Sequence, residues 1–221
     1  VGAPAVWTAT LVGENISISS QNAVAYANGV AYWMGKDKFY IYDGRTQTLK
    51  CDVRKYVFND LDTNQFAQVV AGTNEGFHEI WWFYCSSGST TIDRYVIYNY
   101  LEKIWYYGTL ARTAWLDSGL RDKPLAATYD LNLVDHEEGI DDNAGSSAAA
   151  ITAYVESSDF DIGDGDRFSL VNRVVPDASF DGSTADSPVA TMTLHALSGS
   201  GSGRNSPASE GGSSNATITR S

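Results

Sequence analysis

Few residues in this sequence are equipped for chemistry, and their spacing suits few reactions. The three histidines are His78, His136 and His195. Nucleophilic catalysis needs a base beside an activated Ser or Cys. No G-x-S-x-G is present, and neither cysteine has a recognisable catalytic context. His78 borders an aromatic strand and His195 sits in an alternating one, so both read as structural or surface histidines. H-E-x-x-H, a Walker loop and G-x-G-x-x-G entering a helix are all missing. The G-D-G-D at 163–166 reads as a turn rather than a phosphate cradle.

Two acidic clusters remain. Asp159, Asp161, Asp164 and Asp166 offer hard oxygen ligands at short spacing, the kind Ca²⁺ takes. Their order departs from the EF-hand loop, and the intervening glycines suit tight turns equally well. The second cluster, D-H-E-E-G-I-D-D at 135–142, reads as a solvated loop. No pair of carboxylates stands out as a glycosidase acid and nucleophile, whose separation is set by the fold. The sequons at Asn15 and Asn215 carry meaning only in a secreted protein. Cys51 and Cys85 have no C-x-x-C spacing and define no disulfide by themselves. The expectation is two reduced strand cysteines in a protein made in a reducing cytosol. These residues assign no catalytic, cofactor or metal role, and no enzyme activity is expected.

The elements that would position such groups are strands. Apolar residues come in short alternating or continuous β-branched and aromatic runs, broken by Gly, Asn and Asp. The pattern predicts strands at Val30–Met34, Lys38–Tyr42, Thr48–Val53, Glu79–Tyr84, Asp93–Tyr98 and Ile104–Tyr107. It continues at Leu125–Tyr129, Ile151–Val155, Ser169–Val175 and Ala190–Ala196, with a short last strand at Ala216–Thr219. One helix is predicted, over Asp60–Ala71, from the loose period of Leu61, Phe66 and Val69–Val70. Pro176 marks a strand end or sheet edge.

A repeat runs through the first half. A-Y-W-M (31–34), F-Y-I-Y-D (39–43) and T-L-K-C (48–51) are matched by I-W-W-F (80–83), Y-V-I-Y-N (95–99) and I-W-Y-Y (104–107). An Asp or Asn follows the Tyr of each middle strand and opens the turn. A meander repeated at about 50 residues is the signature of a propeller blade. Stacked blades bury both faces of a middle strand, which suits the continuous run I-W-W-F-Y at 80–84. On this reading Trp81, Trp82, Trp105 and Tyr106 join neighbouring sheets. The fold class expected is mostly β: propeller-like blades of antiparallel meanders, then a β-sandwich-like segment. The expected divisions are 1–120 (aromatic meander repeats), 121–197 (acidic sheet segment) and 198–221. In the last, Gly and Ser predominate over 198–214, a flexible loop before a further strand.

Charge narrows the partners. The chain has 221 residues and a net charge of −12. Residues 1–115 hold nine basic and ten acidic side chains, whereas 116–221 hold six and seventeen. Gripping nucleic acid by counterion release needs clustered Lys and Arg. An acidic wall instead lets a polyanion slide past without sticking. No apolar run approaches the roughly 18 residues of a membrane span. The first residue is Val, which reads as a processed or partial chain.

Three stretches resemble the tail nozzle family of short-tailed bacteriophages: N-G-V-A-Y-W-M-G-K-D-K-F-Y-I-Y-D-G (28–44), G-F-H-E-I-W-W-F-Y (76–84) and D-R-Y-V-I-Y-N-Y-L-E-K-I-W-Y-Y-G (93–108). Y-V-E-S-S-D-F-D-I-G-D-G-D-R-F (154–168) and V-N-R-V-V-P-D-A-S-F (171–180) are similar to a recurring stretch of these and related phage DNA-stabilisation proteins. The resemblance covers about residues 24–180 and implies a propeller-bearing subunit of a hexameric tail tube. Such a subunit closes or lines the DNA exit channel and releases the genome at infection. Implied partners are further copies of the chain, head–tail adaptor and other tail proteins, a tail fibre or spike, and double-stranded DNA in passage. Implied location is the virion, assembled in the bacterial cytoplasm, with no cofactor and no catalytic residue carried over. Family members are much longer, so this chain corresponds to a portion. Two alternatives stand beside this reading. One is a carbohydrate-binding or carbohydrate-cleaving propeller with aromatics open to solvent, and the other is a phage or surface adhesion module.

Overall fold

The computed structural model describes residues 11–117, 120–139, 141–142, 149–151, scattered positions between 153 and 188, and 189–195; at 142, 149–150 and 213–219 it describes the backbone alone. The chain divides into two compact units, Val1–Thr152 and Ala153–Ser221.

The first unit is built from antiparallel meanders. Strands β1 (Val24–Ala27), β2 (Val30–Met34), β3 (Phe39–Tyr42) and β4 (Thr46–Leu49) form one four-stranded sheet in sequence order. Asn28 and Gly29 join β1 to β2, both at positive φ, the mirror-image two-residue turn that matches strand twist. Strands β5 (Val70–Asn74), β6 (Glu79–Tyr84), β7 (Arg94–Asn99) and β8 (Ile104–Thr109) form a second sheet of the same order. Strands β9 (Ala114–Leu116), β10 (Leu125–Ala127) and β11 (Leu133–Asp135) make a three-stranded meander. A two-residue ladder joins β12 (Asp141–Asp142) to β13 (Ala149–Ala150).

The two four-stranded sheets coincide with the two units of the sequence repeat, each preceded by a first strand the repeat did not reveal. β1 (V-A-Y-A) is too short to show a period, and β5 (V-A-G-T-N) carries a Gly and an Asn that argue against a strand. The third phrase of the repeat is out of step in the structure. Trp105 lies directly opposite Tyr98, but the residue opposite Tyr42 is Thr46, not Leu49. The tighter turn at Asp43–Gly44–Arg45 brings β4 back three residues earlier. The predicted strand Thr48–Val53 is therefore corrected to Thr46–Leu49, with Cys51 beyond its end.

The predicted helix Asp60–Ala71 is also displaced. An α-helix, α1, spans Arg54–Asp60 and buries Val57. The Asp62 side chain then accepts from Asn64 N at 2.8 Å and starts a separate 3-10 turn, Thr63–Gln68. An Asp that bonds backbone two residues on is a common way to open such a turn. β-branched Val70 already belongs to β5.

One core lies between the two four-stranded sheets and a second between β5–β8 and β9–β11. The first contains Ala25, Ala27, Tyr32, Met34 and Phe39 from one sheet and Ile80, Trp82, Val96 and Tyr98 from the other. The second gathers Trp81, Phe83 and Ile97, with Tyr95 and Trp115 packed against them. Sheet β5–β8 is thus covered on both faces, and five of the six β6 residues are buried. β1 lies beside β5 and β5 beside β9, so the first strands of the three meanders run together. Ala71 N donates to Asn22 O at 2.7 Å across the first of these contacts.

In the second unit β14 (Val189–His195) pairs with β15 (Ser213–Thr219) in an antiparallel ladder of seven residue pairs. The β14 side chains alternate exposed and half-buried, the period-2 pattern expected there. The strand predicted at Ile151–Val155 is not formed: residues 151 and 153–155 lie outside any strand. Of the strand predicted at Ser169–Val175, residues 172, 173 and 175 are non-strand, and 169–171 and 174 lie outside the described residues, as does Pro176. Where a mostly β chain was expected, several antiparallel sheets are found, none of them closed.

Candidate functional site

The most developed feature of the first unit is the aromatic contact between sheets, built from alternation. Side chains of neighbouring residues in a strand point to opposite faces. Trp81 and Trp82 therefore leave β6 in opposite directions, and each enters a different core. Trp82 is 0% exposed and meets Phe39 of the first sheet at 4.9 Å between ring centroids. Its Nε1–H donates to Ala23 O at 3.0 Å, just ahead of β1. Trp105 of β8 adds a contact to Phe39 at 4.7 Å and donates from Nε1 to Lys50 O at 3.0 Å. On the other face Trp81 is 8% exposed and stacks on Trp115 of β9 at 5.1 Å and 19°. Trp115 donates from Nε1 to Thr73 O at 2.7 Å. In each case an indole supplies both a large apolar face and a donor that fixes its depth against the neighbouring backbone.

Two glycines make room for these rings. A Cβ on Gly72 would collide with the Trp115 indole, so only a glycine in β5 lets that ring lie flat on the strand. A Cβ on Gly108 would lie 2.5 Å from Tyr95 Oη across the β7–β8 ladder. Outer strand β8 is less covered: Trp105 is half-buried, Tyr107 packs at a tilt on Tyr56 of α1 at 4.1 Å, and Tyr106, expected to join neighbouring sheets, is instead 40% exposed because β8 is the edge strand of its sheet.

A carboxylate group closes the far end of the second core. Asn74, at the end of β5 and 2% exposed, donates from Nδ2 to Glu79 Oε2 at 3.5 Å and to Glu137 Oε1 at 3.1 Å. Trp81 Nε1 donates to the same Glu79 oxygen at 2.9 Å. Asp117 accepts from Thr73 Oγ1 at 3.1 Å and from Glu75 N at 2.8 Å. Burial raises the Glu79 pKa and Glu137 raises it further, while the Trp81 and Asn74 hydrogen bonds oppose the rise. The space between the Glu79 and Glu137 carboxylates is occupied by the Asn74 amide. The pair tethers β5–β8 to the β11 loop rather than flanking a substrate.

His78 and His136 have structural partners. His78 caps a 3-10 turn in the left-handed conformation, φ 61°, and its Nδ1 lies 3.3 Å from Tyr100 Oη. His136 packs on Trp115 at 4.6 Å, and its Nε2 accepts from Arg112 Nε at 2.9 Å. His195 is exposed at the end of β14. The segment 135–142 is more than a solvated loop. Asp135 belongs to β11 and pairs with Arg121, Glu138 pairs with Lys123, Glu137 binds Asn74, and Asp141–Asp142 form β12. Its mixture of sheet partners is invisible in a run of charges. Asp159, Asp161, Asp164 and Asp166, and the Asp159–Asp166 calcium reading built on them, lie outside the described residues. Among the described residues no group of three or more His, Cys, Asp or Glu is arranged to hold a metal ion.

Both cysteines are free, each just past a strand end. Burial pushes the Cys51 thiol up to about 12 and the Cys85 thiol up to about 11. Two open clefts lie among the described residues of the first unit. One, of about 270 Å³, lies where the three first strands begin and is bordered by Asn22, Gln68, Val70, Thr113 and Tyr129. The other, of about 330 Å³, separates residues 13–16 from β3 and β4. Among the described residues neither cleft has a carboxylate pair, and Lys38 and Glu14 are the only charged residues bordering either. No helix among the described residues is long and apolar enough to cross a membrane.

No protein-family model and no curated protein matches the chain.

Proposed function

We propose that this chain is a structural subunit of a phage tail nozzle, forming part of a rigid wall around the DNA exit channel. The observation that carries the reading is the double burial of sheet β5–β8. Three meanders stack through aromatic faces with their first strands side by side, which is how propeller blades are arranged. Such stacking makes a stiff body from short strands, and stiffness is what a conduit for pressurised DNA requires. The sequence resemblance supplies the assembly: a hexameric ring that meets adaptor and tail proteins and lets DNA pass without specific binding. The surplus of acidic side chains in 116–221 suits a wall that repels a polyanion.

The carbohydrate reading requires aromatic rings open to water around a pocket. Trp81 and Trp82 are in the cores, so they do not serve it. Gold labelling with an antibody against the chain, on particles imaged in negative stain, tests the proposal. Label at the tail axis supports it. Label elsewhere on the particle, or particles without the chain, overturns it, and retention on a glycan array would then favour adhesion.

A further inference from the structure

The polar groups bordering the cleft of about 270 Å³ are held by bonds within the protein that leave part of each group unused. Gln68 spends both of its amide N–H groups, one on Gln65 Oε1 at 2.6 Å and one on Thr90 O at 2.9 Å. Its own Oε1 has no donor among the described residues and remains an acceptor. Tyr129 Oη accepts from Ile92 N at 2.7 Å, which fixes the ring and leaves the O–H proton to be donated. Thr113 Oγ1 donates to Ala127 O at 3.3 Å and keeps its lone pairs. The Asn22 backbone is anchored on both sides, its N–H to Ser20 Oγ at 3.0 Å and its carbonyl to Ala71 N at 2.7 Å. The Asn22 side-chain amide bonds no described residue, so it offers donors and an acceptor together. Ile92, 3% exposed, and half-buried Val70 add apolar surface, and Tyr129 is 40% exposed. Among the described residues no charged side chain borders this cleft.

We propose that this cleft binds one neutral sugar ring of a glycan, with Asn22, Gln68, Thr113 and Tyr129 on its hydroxyls. Phosphates, carboxylates and free amino acids are disfavoured, because each brings a charge that the cleft does not pair. A hydroxylated ring suits it on three counts. Its rim carries donors and acceptors together, as the bordering groups do. Its C–H face is apolar and can lie on the Tyr129 ring or against Val70 and Ile92. Its size suits a cleft just under the roughly 300–1,000 Å³ that holds drug-sized ligands, so further sugars of the glycan would extend into solvent. Because Gln68 and Tyr129 are already fixed by Thr90 and Ile92, binding orders few additional groups. Trp81 and Trp82 take no part, since both are in the cores. The site does not depend on the tail reading: gold label off the tail axis leaves it standing, and a cleft that binds no sugar leaves the wall reading to its own test.

Titration of the isotope-labelled chain with methyl glucoside, methyl galactoside and N-acetylglucosamine, followed by NMR, tests it. Millimolar sugar should shift the Ile92 backbone amide and the Asn22 side-chain amide, and leave the amides of β8 unmoved. Asn22→Ala removes a side chain that bonds no described residue, so the fold should be intact by near-UV circular dichroism. Tyr129→Phe keeps the ring and removes the hydroxyl. Each should weaken the best of the three sugars about two- to tenfold, the worth of one hydrogen bond. Tyr106→Ala, on β8 and away from the cleft, should leave the affinity unchanged. Since Tyr129→Phe also deprives Ile92 N of its acceptor, a Tyr129→Phe chain that fails to fold leaves the decision to Asn22→Ala. Absence of shifts with all three sugars overturns the proposal, as do shifts that Asn22→Ala leaves at full affinity. Adenosine or uridine moving the same amides at lower concentration than any sugar would assign the cleft to a nucleobase and overturn it equally.

Discussion

If the Trp82 indole holds the first two sheets together, shortening it in two steps should separate its hydrogen bond from its bulk. Trp82→Phe keeps an aromatic ring beside Phe39 and removes the Nε1–H donor. The acceptor is not orphaned, because Ala23 O also accepts from Met34 N at 3.1 Å. The loss is then the net worth of one buried hydrogen bond, about 0.5–1.5 kcal/mol, plus part of the lost volume. About 1–2 kcal/mol in all is expected. Trp82→Ala removes a fully buried indole, which costs about 3–5 kcal/mol in transfer and cavity terms. Adding the hydrogen bond brings the total to about 4–6 kcal/mol. At roughly 2–4 °C per kcal/mol for a chain of this size, Trp82→Phe should lower the Tm by about 2–8 °C and Trp82→Ala by about 8–24 °C. Urea unfolding followed by far-UV circular dichroism gives the free energies directly. Tyr106→Ala, at a 40% exposed position of edge strand β8, is the control. It should change stability by less than about 1 kcal/mol. Should Tyr106→Ala cost as much as Trp82→Ala, burial between sheets would not be what the aromatics contribute.

Three further outcomes follow from the same contacts. Gly72→Ala pushes a methyl into Trp115. It should destabilise by about 1–3 kcal/mol, with a changed near-UV spectrum in circular dichroism. The two cysteines should react slowly with a thiol reagent at pH 8 in the native state and rapidly in urea, because their raised pKa values leave little thiolate; equal rates in both would remove the burial argument. Glu79 is an acid whose pKa is higher folded than unfolded. The folded state therefore holds the proton more tightly, and stability falls as pH rises from the ordinary carboxylate range through the raised value. Glu79→Gln, which keeps an acceptor for Trp81, should raise the Tm at pH 7 and flatten its pH dependence. A steeper profile in the variant would refute that assignment.

The strongest strands were legible because their residues leave no choice. I-W-W-F-Y at 80–84 has no polar face, so it had to be covered on both sides, and it is. Strands β2, β3, β7 and β8 carried the same β-branched and aromatic signal, and their boundaries fall within one or two residues of expectation. The first strands of the sheets escaped because β1 and β5 are small-residue strands. Ala25 and Ala27 are small core residues and Gly72 leaves room for the Trp115 ring, and smallness reads locally as weak strand propensity. The Asp60–Ala71 helix failed for a related reason: Asp62 offers the chain a side-chain cap that restarts it, and no count of apolar spacing contains that competition. The tether among Asn74, Glu79 and Glu137 joins residues 63 positions apart, and nothing in either local sequence announces it.

The spacing of the tryptophans bears on how such a body tolerates load. Each of Trp82, Trp105 and Trp115 donates to a carbonyl of the neighbouring sheet or of the segment beside it. Apolar stacking is non-directional and would let two sheets slide over one another with little change in buried area. These hydrogen bonds are 2.7 Å long at Trp115 and 3.0 Å at Trp82 and Trp105. A bond of that length has a narrow angular range and resists slip. The indole is the side chain that supplies bulk and a donor together, which explains Trp at these contacts where Phe would fill as well. Replacing all three by Phe should therefore loosen the stack more than it unfolds it. Hydrogen exchange at β1, β5 and β9 should quicken by a larger factor than the global unfolding constant rises. If exchange at those strands instead tracked global unfolding one for one, the bonds would serve cohesion alone, and resistance to sliding would have to come from the shape of the packed rings.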